Sequence, residues 1–362
     1  MLGLDHYLRA YEALPQAARS PVRRQALDAF LAQGFPSTDL EDWKYTDLAA
    51  LSALEVDAAH LPQAEGFAPA DYTDGLDALN AAFATGGLDQ AVPAGADVKL
   101  VADGHGHRRH RLRLAPNSRA QLRIEASPDA PFQLVFVDVE LDEGAQLDLL
   151  RLQDATPEAH RITRIRVRLA RDAQLRAVSA DFGGHLSRHD LNVELLGPGA
   201  SAEVSGLFAP EGAGLIDNHT RIDHRAPHCR SRELFRGIAS GKGRGVFNGK
   251  VVVHPGAQKT DSEQRVASLL LTAGAEINAK PELEIYADDV KCAHGATFGQ
   301  LDQNAIFYLR TRGMSADAAR TLLTYTFAHE VLVKIGPDDL RAAASRRFLQ
   351  GLPGGQALEG LA

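Results

Sequence analysis

Ser118-Arg119-Ala120-Gln121-Leu122, Gly144-Ala145-Gln146-Leu147 and Asp172-Ala173-Gln174-Leu175 share an Ala-Gln-Leu signature. Gly199-Ala200 and Gly256-Ala257-Gln258 resemble them. The alanines stand at 120, 145, 173, 200 and 257, so the first gaps are 25, 28 and 27 residues and the last, 57, is close to two such steps. A period in this range marks a solenoid. A small Ala fits inside a tight corner, and a Gly or Asp beside it supports the turn. Each coil buries its inward face only when stacked on its neighbours. Strands stacked in this way are parallel, and such crossovers are overwhelmingly right-handed. The same pattern also admits an antiparallel sandwich whose turns happen to recur.

Between the turns lie short alternating runs: Arg111–Leu114, Leu134–Leu141, Ile162–Leu169, Asn192–Leu195, Lys250–Val253 and Glu282–Tyr286. Period-two alternation predicts strands. No helical pattern interrupts them, which argues against a doubly wound α/β fold. The sequence therefore divides into a helical region 1–96, a parallel β-helix core 97–300 and a helical region 301–362. In the first, Pro21–Gln33 carries helical spacing and Gly34 follows where a C-cap belongs. Leu76–Phe83 is a second expected helix. In the last, Ser315 is an N-cap, and Ala319, Leu323, Phe327, Val331 and Ile335 form one helical face with Leu322 beside it. Gly336-Pro337 ends that helix, Asp338–Leu349 is a second, and Leu352–Ala362 is a loose tail.

The chain has 362 residues, 44% of them hydrophobic and only 6% aromatic, with 32 glycines. This favours many turns and small-residue packing. A net charge of −8 argues against nucleic-acid binding carried by overall charge. The run Arg161, Arg164, Arg166, Arg168, Arg171 is the exception, and Arg164, Arg166 and Arg168 are expected on a solvated strand face. Cys229 and Cys292 are too few for a disulfide framework. No signal peptide or membrane span is visible, so a cytoplasmic chain with reduced thiols is expected.

Searches for a self-contained active site fail. Gly237–Gly243 is one residue short of a nucleotide-binding loop and lacks its Ser/Thr. His329-Glu330 lacks the second His of a zinc-protease helix, and no Gly-x-Ser-x-Gly elbow occurs.

Three segments remain. In Asp289-Val290-Lys291-Cys292-Ala293-His294-Gly295, Cys292 and His294 are two apart, so a strand would point both the same way. Thiolate and imidazole suit iron or zinc, but two ligands do not close a four-ligand site, and a second chain would have to complete it. The alternative is a cysteine packed as a small hydrophobe and a hydrogen-bonded histidine. In Asn218–Cys229, His219, His224, His228 and Cys229 suit either metal ligation or a hydrogen-bonding network at a corner. His105, His107 and His110 suggest a loop able to bind divalent metals weakly, or a plain loop.

Asp288-Asp289-Val290-Lys291-Cys292-Ala293-His294-Gly295-Ala296-Thr297-Phe298-Gly299-Gln300-Leu301-Asp302-Gln303-Asn304 closely resembles the SufB/SufD family of iron–sulfur cluster assembly scaffolds. So do the Thr220–Arg236 stretch, Phe247-Asn248-Gly249-Lys250, Ala257–Asp261, Lys280–Ile285 and Glu41-Asp42-Trp43-Lys44-Tyr45-Thr46. The likeness is dense over about residues 217–335. Within the family, His294-Gly295-Ala296-Thr297 resembles the SufD side, where SufB typically has Glu after the His. The resemblance implies a right-handed β-helix between helical regions, paired with a SufB-like paralogue. It implies a SufC-like ABC-type ATPase docked on the C-terminal helices, with Leu322, Leu323, Phe327 and Val331 as a docking face. The same face could instead cover the solenoid end. It implies a nascent iron–sulfur cluster, held transiently, with His294 as a ligand shared with the partner and Cys292 as its companion. A homodimer is possible for the isolated chain. Reduced flavin and a sulfur donor are further family partners, but no flavin site is visible. A non-catalytic scaffold is thus the leading reading. The alternatives are a β-helix polysaccharide-active enzyme, which would need paired carboxylates and an aromatic-lined groove, and a His-rich metal-binding protein.

Overall fold

The computed structural model describes residues 4–53, 72–104, 106–126 and 131–361. Among the described residues, sixteen strands alternate between two sheets. The first holds, in spatial order, β1 (Asp89–Val92), β3 (His107–Leu114), β5 (Phe132–Leu141), β7 (His160–Leu169), β9 (Leu186–Leu195), β11 (Leu215–His224), β13 (Arg244–Val253) and β15 (Glu276–Ile285). The second holds β2 (Asp97–Gly104), β4 (Arg119–Ala126), β6 (Gln146–Ala155), β8 (Gln174–Gly183), β10 (Ser201–Ala209), β12 (Arg230–Ala239), β14 (Asp261–Leu270) and β16 (Lys291–Gly299). Pairing within each sheet is parallel. The chain is a β-solenoid, and the antiparallel sandwich is excluded. The first strand precedes residue 97.

Arg119, Gln146, Gln174, Ser201, Arg230, Asp261 and Lys291 are successive ladder partners, so these coils take 27 to 31 residues, whereas the first, from Asp97 to Arg119, takes 22. The corner residues before them are Ser118, Ala145, Ala173, Ala200, Cys229, Thr260 and Val290. Ala120 is therefore out of the corner column, facing Leu147 on the next coil, and Ala257 comes one turn before the corner at Thr260. Cys229 is the substitute for the missing alanine. It is fully buried, and its thiol donates to the Gly197 carbonyl at 3.3 Å.

The residue before each corner explains the recurrence. Asn117, Gly144, Asp172, Gly199, His228 and Lys259 all have φ between 54° and 77°. The turn needs a left-handed residue there, which Gly, Asn and Asp adopt most readily. Each of these residues donates its backbone N–H to a carbonyl of the next coil's turn at 2.7–3.4 Å. The corners thus form a hydrogen-bonded ladder of their own, which satisfies backbone groups the strands leave over.

The helices cover the flanks of the solenoid. Helices α1 (Asp5–Glu12), α2 (Pro21–Gln33) and α3 (Gly75–Phe83) share a buried cluster with the outward Phe132, Leu134, Phe136, Ile162, Leu186, Leu215 and Val246 of the first sheet. Ser20 caps α2, accepting from the Arg23 N–H, and Gly34 ends it at φ 69°. After the last coil come α4 (Gln303–Thr311), α5 (Ala316–Leu332) and α6 (Asp338–Gln350). Residues of α5 and α6 pack on the outward Leu150, Val178, Ala180, Phe182, Leu207, Ile238 and Leu269 of the second sheet. The α5 face therefore covers a flank, not the solenoid end. The tail continues as a 3-10 segment, Gly355–Leu361.

One other expectation changes. Arg164 is not solvated: it lies buried against the N-terminal region, paired with Asp74 at 2.7 Å and Asp190 at 3.4 Å. Arg161 alternates to the inside of the coil and is buried there. Arg166 and Arg168 do reach the surface and pair with Asp138 and Glu140, each at 2.7 Å.

Candidate functional site

Strand β16 is the edge of the second sheet. No further coil of the described residues covers it. Cys292, His294 and Ala296 are the ladder partners of the buried, inward-facing Ser262, Gln264 and Val266. By strand alternation they point along the interior of the solenoid. Cys292 is half-buried against the core cluster, whereas His294 is exposed. The sequence expectation that the two share a face holds. Burial pushes the Cys292 thiol up, a bond from the Ser262 backbone partly offsets this, and Asp261 adds to the rise.

Beneath each of these side chains runs a buried polar file. Under Cys292, the Ser231 hydroxyl donates to the Ser262 hydroxyl at 2.8 Å, and His224 Nε2 lies 2.9 Å from Ser231. Burial lowers His224 to about 4, so it is neutral there. Under His294, the Gln264 side-chain amide donates to Glu233 at 2.5 Å. Burial pushes the Glu233 carboxyl up to about 7, although the bond from Gln264 pulls against it. In a solenoid interior lined mostly by Val, Leu and Ala, such files are costly unless satisfied.

A third arrangement sits on the outer face of the first sheet. Trp43 is buried with its ring 3.7 Å from the Arg188 guanidinium. Arg188 in turn bonds Asp190 at 2.9 Å, Asp217 at 2.7 Å and the Asp42 carbonyl at 2.8 Å. Thr46 donates to Asp217, and Glu41 pairs with Lys280. The segment is thus strapped to the coil over a polar cleft of about 300 Å³.

The end of the solenoid is also where apolar side chains are left uncovered. Among the described residues, ten large hydrophobic side chains are exposed, and Ile285, Tyr286, Phe298, Phe307 and Tyr308 account for five of them. All five lie on or directly after the last coil, with Phe307 66% exposed. Exposed apolar side chains gathered at one end of the stack suit a contact surface.

Residues 99–327 match the family model described as SUF system FeS cluster assembly, SufBD core domain. The chain belongs to the SufBD family. It is 31% identical to the iron-sulfur cluster assembly protein SufD of Escherichia coli over 93% of this chain and 94% of that one. It is 35% identical to a SufBD family protein of Synechocystis over 56% of this chain and 45% of the other. It is 34% identical to the chloroplastic protein ABCI7 of Arabidopsis thaliana over 60% and 46%.

The motif residues of this SufBD chain fall into distinct places. Glu41–Thr46 and Lys280 meet at the strap, and Cys292 and His294 stand at the open coil. The histidines of 219–228 do not converge. His219 faces outward 3.0 Å from Asp217, His224 faces inward, and His228 holds a left-handed corner. His107 and His110 are buried in β3 rather than in a loop, and His105 lies outside the described residues. Among the described residues no three His, Cys, Asp or Glu side chains stand together as a metal site. On α5, Val331 is 0% exposed and belongs to the chain's own core, because that face packs on the second sheet. Leu322, Leu323 and Phe327 are half-buried, with Phe327 stacked on Arg236 at 5.3 Å. Sequence reasoning missed Glu233 and Gln264, and it missed the aromatic patch. Alternation within β12 and β14 signals that the first two face inward, but only the ladder places them under His294.

Proposed function

We propose that this chain is a non-catalytic scaffold subunit for iron–sulfur cluster assembly, of the SufD type, working in the cytoplasm. The observation that carries the reading is the open last coil. It presents His294 with Cys292 beside it, among the exposed Ile285, Tyr286, Phe298, Phe307 and Tyr308. A SufB-like paralogue docked on that patch would lay its own end coil over His294. Two donors from one chain leave an iron site incomplete, so a partner chain would supply the rest. The nascent cluster is cargo, held transiently at the seam and then passed on. The isolated chain could use the same surface to form a homodimer.

A SufC-like ABC-type ATPase is the third member of this assembly, docked on the C-terminal helices. Leu322, Leu323 and Phe327 are the part of α5 available for it, and Val331 supports them from the core side. ATP hydrolysis there would move the scaffold subunits and open the seam. The reading as a His-rich metal store is disfavoured by the dispersal of the histidines. Among the described residues no helix is long and apolar enough to cross a membrane.

The test is co-expression with the paralogue and the ATPase, followed by anaerobic reconstitution. Replacement His294→Ala should leave the three-chain complex intact and sharply lower cluster formation. Failure of the complex itself to form would make His294 a structural residue, and full cluster formation would remove it from the site.

A further inference from the structure

We propose that Gln264, held in place by Glu233, is the positioning residue for His294. With the His294 ring turned over it, its carboxamide oxygen accepts the N–H of one ring nitrogen, a bond not made in this structure, and leaves the lone pair of the other facing the seam. This rests on the reading of His294 as a cluster ligand and names what orients it.

Glu233, Gln264 and His294 are consecutive ladder partners on β12, β14 and β16, all on the inward face. Neighbouring strands are about 4.8 Å apart, so each side chain stands directly on the next. Glu233 is 3% and Gln264 0% exposed. The bond from Gln264 Nε2 to Glu233 fixes which way the amide points. The Gln264 oxygen is then left buried with no partner among the described residues. A buried acceptor without a donor is costly and calls for a partner. The next side chain along the inward column is His294, whose ring likewise makes no hydrogen bond among the described residues.

The amide is also walled in. A Cβ at Gly249 would come within 2.3 Å of Gln264 Nε2 and 2.5 Å of the Phe247 ring. Gly249 on β13 therefore makes room for this amide across the coil, and Phe247 closes the side. A ring that ligates through one nitrogen usually donates its other N–H to a carbonyl or carboxylate, which fixes its tautomer and orientation. Gln264 offers such a carbonyl.

The experiment reads the ring tautomer of His294 by NMR on the full chain with 15N-labelled histidine, at a pH where the ring is neutral. The expected result is one tautomer in the wild type and the mixture of a free imidazole in Gln264→Met. Glu233→Gln should keep the single tautomer, because its amide oxygen still accepts from Gln264. In the three-chain complex, Gln264→Met should weaken Co²⁺ binding by about 10- to 100-fold. A mixture in the wild type, or a spectrum unchanged by Gln264→Met, overturns the proposal. Should Gln264→Met fail to fold, the wild type decides through a cross-peak between the ring N–H and the Gln264 side-chain amide protons, and its absence is equally fatal. The tautomer is measured without any cluster. If it responds as expected while His294→Ala leaves cluster assembly untouched, the ligand reading fails and the positioning role stands.

Discussion

Replacing Glu233 by Gln should stabilise the protein at pH 8 and do nothing at pH 4. Glu233 stands inside the solenoid, and burial raises its carboxyl to about 7. An unfolded Glu titrates near 4.3, and each unit of difference corresponds to about 1.4 kcal/mol. The folded chain thus keeps the proton that the unfolded chain has already released between those two values. Stability falls as pH rises through that window, and the loss is complete above 7. It amounts to roughly 4 kcal/mol at most. Below the unfolded value both states are protonated and the loss vanishes. Gln is nearly isosteric and uncharged, and it keeps an oxygen for the Gln264 amide. Urea titrations of wild type and Glu233→Gln at pH 4, 6 and 8 would show the midpoint of the variant pulling ahead as pH rises. A difference independent of pH, or a less stable variant at pH 8, would refute the placement of a protonated carboxyl inside the coil.

The strap should be a separable element. Trp43→Ala removes a buried ring from Arg188 and should cost about 3–5 kcal/mol, read as a lower Tm and faster proteolysis within residues 35–50. The two cysteines should separate cleanly under a thiol reagent. Cys292 of the native chain reacts slowly, as a half-buried thiol with a raised pKa, while Cys229 reacts only after denaturation; Cys229→Ala, which restores the residue of the neighbouring corners, should change stability by less than about 1.5 kcal/mol.

The solenoid was legible because its turn chemistry is local. A left-handed residue followed by a small one recurs every coil, and Gly144-Ala145, Asp172-Ala173 and Gly199-Ala200 display that pair openly. The phase was harder. Ala120 and Ala257 imitate corners without being corners, whereas Cys229 and Thr260 are corners that do not look alike. The helices Pro21–Gln33 and Ala316–Leu332 follow from spacing and from the caps Ser20 and Ser315, which are also local. Burial of Arg164 and Val331 was not legible, because each depends on a distant element lying over it: the Asp74 region in one case and the second sheet in the other. The site was half legible. The period-two spacing of Cys292 and His294 suffices to place them on one face. Gln264 and Glu233 join them only through ladder register, which is set by coil lengths that drift from 22 to 32 residues along the solenoid. The exposed aromatics mark the end of the stack, and nothing in the composition of β16 says that no coil follows.

His294, at the open end of the solenoid, is expected to lie in the seam with a paralogous subunit. A structure of the complex with the SufB-like partner measures this directly. The expected result is an imidazole within about 4 Å of partner atoms, with Phe298, Phe307 and Tyr308 covered by the same surface. A partner docked elsewhere, with the His294 ring still open to solvent, would contradict it.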